Sequence, residues 1–222
     1  MKVFVLYWHP EPQSFNRAMF RTACEALAGA GHEVKTSDLH EMRFDPVSSR
    51  KSFVTVKDPN FFKQQIEETH ATEMNGFSAE IESEMQKIEW CDLMIWQFPL
   101  WWFGLPAVLK GWVDRVFAKG RVYAGNQIYE TGVFRGKRAL LSLTTGGPEK
   151  VYRKGAFNGD IAGVLRPIQR GILQFVGFEV MAPQIVYGAD RVTDEQRKQH
   201  LATYALRLQS IAHESPIDVG IY

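Results

Sequence analysis

The chain has 222 residues, of which 45% are hydrophobic and 23% charged, the balance of a globular protein rather than a disordered one. Lys and Arg total 26 against 25 Asp and Glu, so the net charge is +1 and no basic run offers a nucleic-acid footprint. The apolar runs are too short to span a membrane. Cys24 and Cys91 form no CxxC pair, which suits a reducing compartment. We expect one cytoplasmic domain over residues 1–222, without a signal peptide, membrane insertion or nucleic-acid partner.

Strand and helix patterns alternate along the chain. In order, we predict a strand over 2–7, a helix over 15–30 capped by Ser14, a strand over 33–38, an excursion over 39–77 with a short helix, a helix over 78–89, a strand over 92–98, a helix over 106–117, a strand over 138–144, a helix over 162–175, a strand over 179–186 and a helix to about 212. Thr193 and Gln196 form a capping-box signature before the last helix. Five strands alternating with five helices predict a doubly wound α/β fold, a five-stranded parallel sheet with helices on both faces.

In such a sheet, ligands bind beyond the carboxyl ends of the strands, where the strand order reverses. The loop after the first strand, residues 9–16, opens a helix, and free N–H groups at a helix N-terminus favour phosphate. Ser14 and Asn16 add side-chain donors, although a serine at this position also simply caps its helix.

The loops after the third and fourth strands add aromatic rings and glycines. Trp101, Trp102 and Phe103 stand in a row and pack either in the core or against a planar ligand. The segment 144–147, Thr-Thr-Gly-Gly, is either a simple turn or a place where the backbone approaches a heterocycle. Together the three loops favour a flavin, which is planar and phosphorylated.

Other ligand and catalytic motifs are missing from the sequence. There is no GxGxxG after the first strand, no GxxxxGK[ST], no HExxH and no GxSxG, and the six histidines do not pair with the cysteines at metal-ligand spacing. We therefore expect no metal site.

Several motifs resemble the NAD(P)H:quinone oxidoreductase family, the DT-diaphorases, including its dihydronicotinamide riboside:quinone reductase branch. They are Ser14-Phe15-Asn16, the segment 97–104 (Gln-Phe-Pro-Leu-Trp-Trp-Phe-Gly), the segment 106–112, Leu143 to Gly147, and the segment 167–173. The likeness covers the chain from Val3 to about Pro216. It implies a flavodoxin-like fold, a bound FAD (rather than FMN) and a homodimer with two sites at the subunit interface.

The resemblance also implies roles for individual residues. The expected cofactor contacts are His9, Ser14, Phe15, Asn16 and Arg197 toward the pyrophosphate and adenylate, Pro99, Leu100, Trp101, Trp102 and Phe103 along the isoalloxazine, and Thr144, Thr145, Gly146, Gly147 and Tyr152 at its polar edge. The expected substrate contacts are Trp102, Phe103, Gly146, Gly147 and Asn158, with Tyr123 and Ile128 reaching the partner subunit's pocket. Tyr152 and Asn158 are the expected catalytic residues.

The sequence differs from the longer branch of the family in three respects. Asn158 stands where that branch has a histidine, and asparagine donates a hydrogen bond but does not change charge near neutral pH. Gly125 replaces a bulkier pocket residue, and the chain stops at Tyr222 without the extension that helps to hold NAD(P)H. The metal-site histidines of the second branch fall at Arg170 and Gln174, so no metal carries over.

We expect an enzyme that passes a hydride from NAD(P)H to flavin N5 and then, in a ping-pong exchange, to a quinone. Two other interpretations stay open at this point: an ancillary regulatory subunit of a potassium-efflux system, and a nitro or azo reductase. A one-electron carrier of the flavodoxin type fits the neutral net charge and the aromatic row poorly.

Overall fold

A parallel sheet forms the centre of the molecule in a computed structural model that describes residues 1–221. Its strands are β1 (Lys2–Tyr7), β2 (Glu33–Asp38), β3 (Leu93–Pro99), β4 (Arg138–Thr144), β5 (Glu179–Val180) and β6 (Gln184–Val186). Their order in space is β2-β1-β3-β4-β5, and β6 also pairs with β4. The strand order therefore reverses between β1 and β3, so the loops leaving these strands face the ligand crevice of a doubly wound sheet.

Six α-helices cover the sheet within the described residues. They are α1 (Phe15–Gly29), α2 (Gln64–Met74), α3 (Ala79–Trp90), α4 (Ala107–Val116), α5 (Ile161–Ile168) and α6 (Asp194–Gln209). The expected short helix of the 39–77 excursion is α2, and the other five are the helices predicted to alternate with the strands.

Two hydrophobic clusters occupy the two faces of the sheet, because successive side chains of a strand point to opposite faces. In β1, Val3 and Val5 pack with the cluster under α1 and α6, whereas Phe4 and Leu6 pack with the cluster under α3 and α4. Both clusters lie below the carboxyl edge of the strands and give the loops at that edge a rigid base.

Capping residues set the start of the two helices nearest that edge. The Ser14 side chain accepts a hydrogen bond from the N–H of Arg17 and caps α1. Thr193 and Gln196 form the predicted capping box at the start of α6. The Ser14 and Thr193 side chains satisfy N–H groups that have no partner inside the helix.

The final third of the chain differs from the prediction in three places. The predicted strand over 179–186 is broken into β5 and β6, since Pro183 has no N–H to continue a ladder. The predicted helix over 162–175 is α-helical only to Ile168 and continues as a π-helix over Gln169–Gln174. The last helix ends at Gln209, and a short 3₁₀ turn covers Ile211–His213. No helix within residues 1–221 is both long and apolar enough to cross a membrane.

Candidate active site

A cleft of about 670 Å³ opens at the carboxyl ends of β1, β3 and β4. All three loops selected from the sequence contribute to its wall. Of the predicted cofactor contacts it is lined by His9, Ser14, Phe15, Asn16, Pro99, Leu100, Trp101, Trp102, Thr144, Thr145 and Gly146. Glu11, Ala189 and Asp190, which were not predicted, complete the lining.

The N-terminus of α1 forms the end of the cleft that is suited to bind a phosphate. The first N–H groups of a helix have no partner within it, and the Ser14 side chain accepts only the one from Arg17, at 3.1 Å. Phe15 and Asn16 therefore present their N–H groups at the positive end of the helix dipole, where an anion is stabilised.

A chain of buried hydrogen bonds locks the three loops together. Asn16 Nδ2 donates to Thr144 Oγ1 at 2.8 Å, and Gln97 Nε2 donates to Asn16 Oδ1 at 2.8 Å. Ser142 Oγ in turn donates to Gln97 Oε1 at 2.6 Å. Asn16, predicted as a ligand contact through its side chain, thus uses that side chain to join α1 to β3 and β4. A satisfied buried network of this kind holds its members in one arrangement.

Gln97 and Ser142 are functional framework residues that sequence reasoning missed. Both side chains are completely buried, Gln97 as the one polar residue of β3 and Ser142 between two leucines of β4. Because a buried polar group requires a partner, a polar residue flanked by apolar residues in each of two central strands is the signal that could have revealed them.

The aromatic row forms a two-residue turn with an unusual backbone. Trp101 and Gly104 exchange backbone hydrogen bonds of 3.0 and 3.3 Å, and Trp102 and Phe103 between them have φ of 51° and 58°. Asn and Gly are the usual residues at such positions. The Trp102 side chain is 98% exposed, so no contact within this chain accounts for an aromatic ring held there.

The Thr-Thr-Gly-Gly loop presents backbone rather than hydroxyl donors. The Thr145 hydroxyl donates to the Gly147 carbonyl at 2.8 Å, and the Thr145 N–H donates to the Val186 carbonyl at 3.0 Å. Within the described part of the chain, the N–H groups of Gly146 and Gly147 have no acceptor. The expected hydroxyl donor at Thr145 is therefore engaged inside the loop, and the two glycine N–H groups are the free donors.

Tyr152 and Asn158, the predicted catalytic pair, lie together beside this loop. A methyl group placed on Gly147 would lie 3.1 Å from a Tyr152 ring carbon and 3.4 Å from Asn158 Nδ2. The Tyr152 ring is buried between Phe103, at 6.5 Å between ring centroids, and Tyr187, at 5.9 Å. Burial raises the pKa of the Tyr187 hydroxyl, and the nearby carboxylates of Glu149 and Asp160 add to that shift.

A second cleft of about 580 Å³ continues from the first and shares four lining residues with it. The shared residues are Ser14, Phe15, Ala189 and Asp190. Arg197, predicted at the adenylate end, lines this second cleft and donates to the Ala189 carbonyl at 3.1 Å. The two clefts form one elongated depression around the start of α1.

Tyr123 lies away from this depression in a single chain, and Ile128 follows it in the same loop. Tyr123 lines a separate cavity of about 630 Å³ with Gln65, Glu68 and Phe175. Its hydroxyl accepts a 3.3 Å hydrogen bond from Gln65 Nε2. Burial raises the pKa of the Tyr123 hydroxyl, and the Glu68 carboxylate acts in the same direction.

The site offers donors, apolar faces and aromatic rings, the set that suits a planar phosphorylated ligand. No group of three His, Cys, Asp or Glu side chains capable of holding a metal ion occurs among residues 1–221. The doubly wound sheet with its crevice at the strand ends defines a flavodoxin-like protein, and a family model described as the flavodoxin-like fold matches residues 1–210.

Individual relatives identify the family within the flavodoxin-like proteins. The mouse ribosyldihydronicotinamide dehydrogenase (quinone) is 43% identical over 97% of this chain and 94% of the relative. The guinea-pig NAD(P)H dehydrogenase (quinone) 1 is 43% identical over 97% of this chain and 79% of the relative. A solved Klebsiella pneumoniae structure, provisionally assigned as a quinone reductase, is similar with a TM-score of 0.91 and 38% identity over 98% of this chain and 87% of that one. The chain belongs to the NAD(P)H:quinone oxidoreductase family.

Proposed function

We propose that this protein is a cytoplasmic FAD-dependent enzyme that reduces quinones by two electrons with a reduced nicotinamide as donor. The observation that carries the proposal is the elongated depression at the strand ends, lined by a helix N-terminus, an exposed aromatic turn and Gly146, with the free N–H group of Gly147 next to it. Relatives named as quinone dehydrogenases support the substrate class. When bound, FAD accepts a hydride from the nicotinamide and passes it to the quinone.

The length of the depression favours FAD over FMN. The cleft beside the aromatic turn has room for an isoalloxazine and its phosphate, and the adjoining cleft of about 580 Å³ leads on to Arg197. FMN ends at its phosphate and would leave this second cleft without a ligand, whereas the adenylate half of FAD extends beyond the α1 N-terminus. Arg197 then lies where an adenylate would bind.

The residues at the polar edge would stabilise negative charge that develops there. The N–H groups of Gly146 and Gly147 and the Tyr152 hydroxyl are donors fixed in position before the reaction, and preorganised donors lower the energy of a charged transition state. Asn158 adds an amide donor that keeps the same charge throughout the neutral pH range.

We further propose a homodimer in which Tyr123 and Ile128 complete the partner's substrate pocket. The separation of Tyr123 from the cleft within one chain is the arrangement that a shared site needs. The excursion exposes large apolar side chains, including Val54, Val56 and Phe61, and apolar surface of this kind favours association. Sedimentation equilibrium should give about twice the chain mass of 25.4 kDa. A monomer at micromolar concentration would contradict the shared pocket.

Absorbance spectroscopy tests the proposed enzyme directly. The purified protein should show a flavin spectrum, and the flavin released by heat should be FAD. Anaerobic addition of NADPH, NADH or dihydronicotinamide riboside in turn should bleach the spectrum with the preferred donor, and a benzoquinone should restore it. Failure to bind FAD during reconstitution would overturn the proposal. A bound flavin that none of the three donors bleaches would leave the protein a regulatory flavoprotein.

A further inference from the structure

Three aromatic rings, those of Trp8, His9 and Trp101, form a cluster at the wall of the cleft. Trp8 and Trp101 meet edge to face, with centroids 5.2 Å apart and planes at 89°. The His9 imidazole lies 6.5 Å from Trp8 and 6.2 Å from Trp101. His9 and Trp101 line the cleft, while Trp8 packs against the hydrophobic core behind them. Trp8 thus connects a cleft-lining pair of rings to the rigid interior.

The histidine at the centre of this cluster has a defined tautomer. The backbone N–H of Glu11 donates to His9 Nδ1 at 3.0 Å. A ring nitrogen that accepts a hydrogen bond carries no proton, so the neutral imidazole has its proton on Nε2. Nε2–H is then the donor that His9 offers to an anion in the cleft.

Surrounding groups shift the pKa of the His9 imidazole in opposite directions. Burial lowers the pKa of His9 below its ordinary value, and the cationic form of His40 would act in the same sense. The carboxylates of Glu11 and Asp190 raise that pKa. Burial is the largest of these influences, and the two indole rings contribute to it.

We propose that Trp8 is a positioning residue for the cofactor's pyrophosphate. Through its edge-to-face contact with Trp101 it holds the His9 ring so that Nδ1 faces the Glu11 N–H and Nε2–H faces the anion. The inference rests on the proposed flavin site and adds to it a residue that does not itself contact the ligand. Aromatic pairs in this geometry are directional, so a smaller apolar side chain at position 8 would fill space without fixing the orientation of Trp101.

The test compares Trp8→Leu and Trp8→Phe with a matched control, Trp90→Leu. Trp90 is likewise a partly buried tryptophan at the margin of the core, but it stacks under Lys35 at 4.4 Å. Two measurements are made on each variant: the pKa of His9 in the flavin-free protein by NMR, assigned with His9→Gln, and the dissociation constant of FAD by fluorescence between pH 6 and 8.

Trp8→Leu should raise the pKa of His9 toward its ordinary value and weaken FAD binding at pH 8 by roughly three- to tenfold, the range expected for one lost hydrogen bond. The deficit should shrink at pH 6, because a protonated imidazole attracts the pyrophosphate without a fixed orientation. Trp8→Phe should restore most of the affinity, and Trp90→Leu should match the wild type in both measurements.

Two results would overturn the positioning role. One is a His9 pKa in Trp8→Leu that equals that of the wild type. The other is a loss of FAD affinity that is the same at every pH, since general loosening of the core has no reason to follow the protonation of one imidazole. Failure of the wild type to bind FAD would instead overturn the proposed function, and the NMR titration of His9 would still test the role of Trp8.

Discussion

Trp102 shows how single residues depart from conformational preference to make a site. Its φ of 51° lies in the left-handed region, which costs an L-residue about 1–2 kcal/mol, and its ring is almost fully exposed. The hydrogen bonds between Trp101 and Gly104 close the turn, but the exposed Trp102 ring makes no contact within the chain that would offset this cost. Strain of this kind is retained where function requires the geometry, and in the proposed site the ring stacks on the flavin.

Trp102→Gly should therefore separate stability from function. Glycine removes the left-handed penalty of about 1–2 kcal/mol but adds about 0.5–1 kcal/mol of unfolded-state entropy, so the free energy of unfolding of the flavin-free protein should stay level or rise by up to about 1.5 kcal/mol. Loss of ring stacking, worth about 0.5–1.5 kcal/mol, should lower kcat/KM for a quinone by roughly twofold to tenfold. Urea denaturation and steady-state kinetics measure the two effects.

Trp102→Ala is the control, because alanine keeps the left-handed penalty and also lacks the ring. It should match glycine in kinetics and fall below it in stability. Wild-type turnover in both variants would contradict the stacking role of Trp102.

Asn158 determines the expected pH profile of quinone reduction. Its amide lies beside Gly147 at the polar edge of the site and does not titrate. Asn158→His should introduce a bend in the plot of kcat/KM against pH close to 6.5, the ordinary pKa of an imidazole. Rates between pH 5.5 and 8.5 test this, with Asn158→Ala as the non-titrating control. Identical profiles for the two variants would show that position 158 takes no part in proton supply.

The site residues that were hardest to predict are those brought to the cleft by contacts between segments far apart in the sequence. The sequence pointed to His9, Trp102 and Gly146 because each stands in a loop after a predicted strand, and the cleft contains all three. It did not point to Asp190, which reaches the cleft only because β6 pairs beside β4. The contact of the Trp101 ring with Trp8, with His9 beside it, was not predicted either.

At the scale of elements, the contact between α4 and the 39–77 excursion holds the peripheral segment on the sheet. Gly111, in the middle of α4, has no room for a side chain: a methyl group there would lie 2.3 Å from the Pro46 carbonyl oxygen and 2.5 Å from the Pro46 Cα. Arg115, one turn further on, donates to the Asp45 carbonyl. The helix and the excursion therefore approach each other backbone to backbone.

Gly111→Ala should destabilise the protein although alanine favours helix. The obstructing atoms belong to the Pro46 backbone, which cannot rotate away, and overpacking of this kind costs about 1–3 kcal/mol. Gly163→Ala is the matched control, because Gly163 lies in α5 with nothing within 4 Å of an added methyl group. That change should stabilise by about 0.5–1 kcal/mol. Chemical denaturation of both variants measures the difference, and stabilisation by both would refute the close approach.

The difference between local signals and dependence on neighbouring elements explains which elements could be predicted. The bounds of β1, β2 and β4 match the prediction, because short strand-like runs and flanking turn residues are local signals. The break between β5 and β6 and the π-helical end of α5 were missed. Pro167 and Pro183 were visible in the sequence, but whether a proline bends, ends or interrupts an element depends on what its neighbours can pair with.

At the scale of the whole molecule, tight packing on both faces of the sheet leaves titratable groups in the interior. Cys91 is completely buried at the end of α3, just before β3, and burial raises its pKa to about 12. Burial raises the pKa of Cys24 to about 11 and that of Tyr204 to about 12. All three groups are neutral in the folded state at physiological pH, so they do not disturb the core until the solution becomes alkaline.

Stability should therefore fall above about pH 9. An unfolded thiol releases its proton near its ordinary pKa of about 8.5, whereas the folded Cys91 thiol keeps its proton to about pH 12. Between these values the unfolded state binds fewer protons, so the free energy of unfolding decreases by as much as about 1.4 kcal/mol per pH unit for one thiol. Below pH 8 the same group contributes no pH dependence. Urea denaturation at pH 7, 9 and 10 measures the slope.

Cys91→Ala should be less stable at pH 7 because of the cavity it leaves, yet it should lose stability more slowly than the wild type as the pH rises. Parallel slopes for the two proteins would show that the Cys91 thiol is not kept protonated by the folded core.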